Sequence, residues 1–82
     1  MRLLIDAGNT RVKWKLLANN ATACRGDGFL ADCSLFNGLE ADASSITRVA
    51  VSTVVSEHAR AQLEWRIKAL TAAPVAFYWA EW

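Results

Sequence analysis

Residues 3–16 leave few folds open to this chain. Leu3-Leu4-Ile5 is a short, unbroken apolar run that stops at Asp6. Such a run suits a strand at the centre of a sheet, covered on both faces. Ala7-Gly8-Asn9-Thr10 follows, with Gly8-Asn9-Thr10 as turn chemistry. Beyond it Val12, Trp14 and Leu16 alternate with Lys13, Lys15 and Leu17. A period of two marks a strand with one buried face. Residues 2–7 and 11–18 therefore predict an antiparallel hairpin whose turn is polar and contains glycine.

The remainder supplies strands and helices in turn. Asn19-Asn20 makes the next turn, and residues 21–30 predict a third strand that Gly26-Asp27-Gly28 would break or bulge. Leu35, Phe36 and Leu39 suggest a short helix over about 32–41, capped by Asp32 or Ser34 and weakened by Gly38. Val49-Ala50-Val51 is a second apolar run, followed by Ser52 and Thr53. A clearer helix begins after Ser56, where Ala59, Leu63, Ile67 and Leu70 form one stripe. Glu57 in its first turn and Lys68 in its last suit the helix dipole, and Glu64 and Lys68 form an i,i+4 pair. Pro74 precedes a last strand, Val75 to Trp79. The string is β-β-β-α-β-α-β. Right-handed crossovers then give a mixed α/β sheet of order 3-2-1-4-5, the ribonuclease H-like plan.

Composition narrows the function classes. Nine basic and eight acidic residues leave a formal charge of +1, which argues against a general grip on nucleic acid or anionic lipid. The N-terminal apolar run is too short for a secretory signal, and Ala69 to Ala80 falls short of a membrane span. Cys24 and Cys33 form no CxxC pair and are read as two reduced thiols of a cytoplasmic protein. His58 reads as a solvated helix residue, and Arg25-Gly26-Asp27 as a chance tripeptide. Trp14 reads as core, since it alternates inward with Val12 and Leu16. The apolar fraction, 54% with fifteen alanines and four tryptophans, is high for 82 residues. A chain this short buries only about 60–65% of its unfolded surface. Some apolar surface therefore calls for a partner or for further chain.

The chemistry concentrates in Asp6-Ala7-Gly8-Asn9-Thr10-Arg11-Val12-Lys13. Gly8 permits a positive φ and a close approach by a ligand. Successive turn N–H groups can form an anion nest, with Asn9 and Thr10 as neutral donors and Lys13 as a point charge for phosphate. Asp6 would repel phosphate directly, so its useful role is to hold a hydrated Mg²⁺ between itself and the phosphates. The same residues also suit a plain structural hairpin with Asp6 capping the turn. The spacing is not that of a P-loop.

Asp6-Ala7-Gly8-Asn9-Thr10-Arg11-Val12-Lys13-Trp14, directly after Met1-Arg2-Leu3-Leu4-Ile5, resembles the first phosphate motif of type III pantothenate kinases. These are bacterial kinases of coenzyme A biosynthesis, sometimes called Bvg accessory factor homologues. They belong to the acetate and sugar kinase, heat-shock protein and actin (ASKHA) superfamily. Val49-Ala50-Val51-Ser52-Thr53-Val54-Val55 is a looser match to the strand end that precedes the next helix in that family. The resemblance implies an actin-like half-domain and ATP-dependent phosphorylation of the primary hydroxyl of pantothenate. It implies ATP, Mg²⁺ and a monovalent cation (K⁺ or NH₄⁺) as cofactors, and a homodimer for the full-length protein. Residues 6–13 would contact the ATP phosphates, with Asp6 reaching Mg²⁺ through water.

Family members are several-fold longer and have two such domains facing across a cleft. Their G-x-D-R segment, which carries the proton-accepting Asp, and a later D-x-G-T-x motif both need glycine, and none follows Gly38. Residues 1–82 are therefore expected to be the N-terminal part of the first domain, inactive alone, with the second domain and the general base elsewhere. Two rivals stand beside this. One is a non-catalytic actin-like accessory module. The other is a different small-molecule kinase of the superfamily, against which the Asn9-Thr10-Arg11-Val12-Lys13-Trp14 continuation speaks.

Overall fold

The computed structural model describes residues 1–8, 11–32, 34–53 and 56–79, with the Trp79 side chain excepted. Five strands form one sheet: β1 (Arg2–Ala7), β2 (Val12–Ala18), β3 (Ala21–Gly28), β4 (Arg48–Thr53) and β5 (Val75–Trp79). Their order is β3-β2-β1-β4-β5. β1 pairs antiparallel with β2 and parallel with β4, while β5 extends the sheet parallel to β4. This is the mixed sheet expected of an actin-like half-domain, with the unbroken apolar strand at its centre.

Alternation along the strands divides the sheet into two faces. Leu3, Ile5 and Ala7 of β1, Val12, Trp14 and Leu16 of β2, and Val49 and Val51 of β4 are buried together. They share a core with Leu63 and Ile67 of α1 (Glu57–Leu70) and with Leu35, Phe36, Leu39 and Ile46. Leu63 and Ile67 are fully buried, and Ala59 and Leu70 pack at the margin, so the predicted stripe is the core face. The Ser56 side chain caps α1 by accepting from the Ala59 amide at 3.3 Å. Lys68 pairs with Glu64 at 3.1 Å. Trp65 points off the stripe and is 74% exposed.

The expected α-helix over 32–41 is not formed by its described residues. The amides of Leu35, Asn37, Leu39 and Asp42 donate to the carbonyls three residues back, not four. This tight winding leads into a 3₁₀ helix, Glu40–Ser45. Two local features oppose an α-helix. The amide and hydroxyl of Ser34 both donate to the Asp32 carboxylate, which fixes a turn there. Gly38 has φ of 95°, outside the right-handed region. The expected apolar residues still reach the core, because three-residue spacing also brings Phe36 and Leu39 to one side. The Ser34 hydroxyl and then its amide hold the Asp32 carboxyl below the usual carboxylate range. A depressed pKa means that any contribution to stability is present above that range and fades as pH falls below it.

The third strand covers Ala21–Gly28 and stops short of the expected residue 30. Gly26-Asp27-Gly28 neither breaks nor bulges β3, and the register shift lies at Leu16/Leu17. The β2–β3 turn uses Asn19 and Asn20 at φ of 53° and 66°, the two left-handed positions of a tight hairpin. Gly26 lies beneath the Trp14 indole. A Cβ there would sit 2.6 Å from Trp14 Cζ2 and 2.7 Å from Cε2. The indole is held in turn by its Nε1–H, which donates to the Leu35 carbonyl at 2.7 Å. Cys24 is half-buried and unpaired among the described residues, and Cys33 lies outside them.

Gly26→Ala should therefore destabilise the protein by about 1–3 kcal/mol, the usual cost of overpacking a filled site. Urea unfolding of the variant measures this. An unchanged midpoint would show that the indole can move aside freely.

Candidate functional site

The face of the sheet turned away from α1 carries the charges. Asp6 on β1 is opposite Lys13 on β2, and Lys13 is opposite Asp27 on β3. In the other direction Asp6 is level with Ser52 on β4, and Ser52 with Tyr78 on β5. One transverse row therefore reads Asp27–Lys13–Asp6–Ser52–Tyr78. The next row reads Arg25–Lys15–Leu4–Ala50–Ala76. Asp6, Lys13, Asp27 and Tyr78 are exposed and Ser52 is half-buried. The two rows contribute to a shallow concavity of about 870 Å³.

Chain connectivity marks the upper end of this face. From the end of β1 the chain turns to β2 on one side. From the end of β4 it passes through α1 to β5 on the other. Where two connections diverge from neighbouring parallel strands, a crevice opens at the carboxyl ends of those strands, the habitual ligand position in α/β sheets. Asp6-Ala7 and Ser52-Thr53 are the paired residues at that end.

The sequence-predicted site residues separate into groups. Asp6 and Lys13 come together as cross-strand neighbours on the open face. Ala7 and Val12 bury their side chains in the core, 1% and 2% exposed, so only their backbone can face a ligand. The Gly8 amide donates to the Arg11 carbonyl at 2.9 Å, closing the β1–β2 turn. Gly8 is not among the residues of positive φ, which corrects the expected reason for a glycine there. A Cβ on it would meet the Arg11 carbonyl oxygen at 3.4 Å, an ordinary contact. Arg11 turns sideways toward β3, where its guanidinium pairs with Asp27 and lies 5.5 Å from the centre of the Phe29 ring. Asn9 and Thr10 lie outside the described residues, as do Val54 and Val55 of the second motif.

Ser52, at the strand end of the second motif, sits beside Asp6, a neighbour the sequence alone does not name. Asp27 and Tyr78 enter the row without having been singled out. Period-two alternation could have placed each on a face, but not beside Asp6, because strand register is a long-range property. Among the described residues no three Asp, Glu, His or Cys side chains cluster as a metal cage. Asp6, an exposed carboxylate between the Ser52 hydroxyl and Lys13, suits a Mg²⁺ shared with phosphates and water, which needs few protein ligands.

Over 81 residues, 99% of its length, the chain is 49% identical to the type III pantothenate kinase of Marinobacter nauticus. It is a homologue of that kinase. The chain spans 33% of the length of this curated relative. No family model matches the chain. The pantothenate kinase homology and the actin-like strand order agree, although one rests on residue identity and the other on backbone pairing. No helix among the described residues is long and apolar enough to cross a membrane.

Since neither backbone strain nor lack of space requires glycine at position 8, Gly8→Ala should leave stability within about 0.5 kcal/mol of the original. Thermal or urea unfolding checks this. A larger loss would show that the turn depends on glycine after all.

Proposed function

We propose that these 82 residues form the opening part of the first domain of a type III pantothenate kinase, and that residues 6–13 supply half of its ATP-phosphate site. The observation that carries the proposal is the placement of Asp6. It stands at the end of the central strand, exposed, between Lys13 and Ser52, in the crevice where the connections of β1 and β4 diverge. The 49% identity to a pantothenate kinase supports this choice of reaction.

In this reading ATP and pantothenate are the substrates, and the primary hydroxyl of pantothenate receives the γ-phosphoryl group. Such transfer is mostly positioning and charge neutralisation. In the β1–β2 turn the Asn9 and Thr10 side chains would donate to phosphate oxygens, while the Gly8 amide stays with the Arg11 carbonyl. Lys13 adds a fixed positive charge beside them. Asp6 would hold Mg²⁺ through water, and the metal would neutralise phosphate charge. The general base and the ligands of a K⁺ or NH₄⁺ ion belong to chain beyond these residues. The whole protein would be a cytoplasmic homodimer, and the 82 residues alone would not turn over.

ATP-dependent formation of phosphopantothenate by the whole protein tests the reading, and its absence would sink it. Within that assay Asp6→Asn should cut turnover by at least about a hundredfold, the usual scale for losing a group that organises transition-state charge. Because Asp6 is exposed, its unfolding midpoint should stay put. Near-normal turnover would remove Asp6 from the site. The isolated 82 residues should form no product; any ATP-dependent product from them would contradict the division of the site between two domains.

A further inference from the structure

We infer that Asp27 is a positioning residue for the phosphate turn, acting through Arg11; the inference rests on the kinase reading just given. Arg11 stands at the foot of the β1–β2 turn, and its carbonyl accepts the Gly8 amide that closes the turn. Its side chain does not extend toward the crevice. It crosses to β3, where Asp27 accepts a hydrogen bond from Nη2 and the Phe29 ring lies against the guanidinium.

One residue is therefore held twice, by its carbonyl within the turn and by its guanidinium to the neighbouring strand. Asp27 can do this because β2–β3 pairing sets it opposite Lys13, two positions along the chain from Arg11. Gly28 is opposite Val12, and β3 ends there. Arg11 is thus removed from the group expected to touch phosphate. Its charge is neutralised by a carboxylate, and a neutralised guanidinium is a poor phosphate ligand but a good rivet. The positive charges left to a nucleotide on the open face are then Lys13 and, one row down, Lys15 and Arg25. Arg25-Gly26-Asp27, a chance tripeptide by sequence, gains two structural duties: Gly26 admits Trp14 and Asp27 holds Arg11.

Both partners are about half exposed, so the expected effect is modest. In the whole protein Asp27→Asn should raise KM for Mg-ATP by about threefold to tenfold with kcat within about twofold, the scale of one partly exposed ion pair with a cation–π contact. Hydrogen exchange at the Gly8 amide should accelerate by a similar factor while the Leu4 and Ile5 amides keep their rates. Asp27→Glu should recover most of both changes. Unchanged Gly8 exchange, equal acceleration throughout the sheet, or an unchanged KM would each overturn the inference. A lowered KM would overturn it too, since it would mean that a freed Arg11 turns to phosphate. If the unaltered whole protein makes no phosphopantothenate, the kinase reading fails, and the Gly8 exchange alone decides whether Asp27 holds the turn.

Discussion

The structure depends on β1 being paired along both edges. A strand in that position has no free backbone groups, so its side chains alone decide what each face does. Leu3, Ile5 and Ala7 face α1 and seed the core. Leu4 and Asp6 face the other way, and Asp6 arrives at the strand end where the chain must turn. Moving the register of β1 by one residue would drive Asp6 into the core and expose Leu3 and Ile5. The burial that stabilises the sheet is thus also what fixes the carboxylate outside.

A second constraint ties the hairpin to the segment after β3. Trp14 spans from β2 over Gly26 of β3 to the Leu35 carbonyl. One indole therefore locks two strands and the first turn of that segment, and its N–H is satisfied while buried. The opposite face of the same hairpin carries Lys13, Asp27 and, one row down, Lys15 and Arg25. Packing on one face holds the charges of the other in register. The overall charge of +1 conceals this, because Lys13, Lys15 and Arg25 outnumber Asp6 and Asp27 on the open face.

Local signals were easily read where periodicity and turn chemistry agreed. The β1–β2 hairpin, the Asn19-Asn20 turn, the start of α1 after Ser56 and the Leu63/Ile67 stripe all stand where the residues predict. The segment around 32–41 misled because its apolar spacing fits an α-helix and a 3₁₀ path equally. The Asp32–Ser34 turn and the left-handed Gly38 decided between them. At Gly8 the residue type suggested a positive φ that the backbone does not use. Glycine permits that conformation without requiring it.

By itself the sequence determined the strand string, the central place of β1 and the motif Asp6 to Lys13, all of which depend on spacing within a few residues. Only the tertiary structure set Asp27, Lys13, Asp6, Ser52 and Tyr78 in one row, turned Arg11 away from the crevice and put Gly26 beneath Trp14. Those facts depend on register between strands far apart in the chain. Register is chosen by the fit of a whole buried face, and no local pattern contains it.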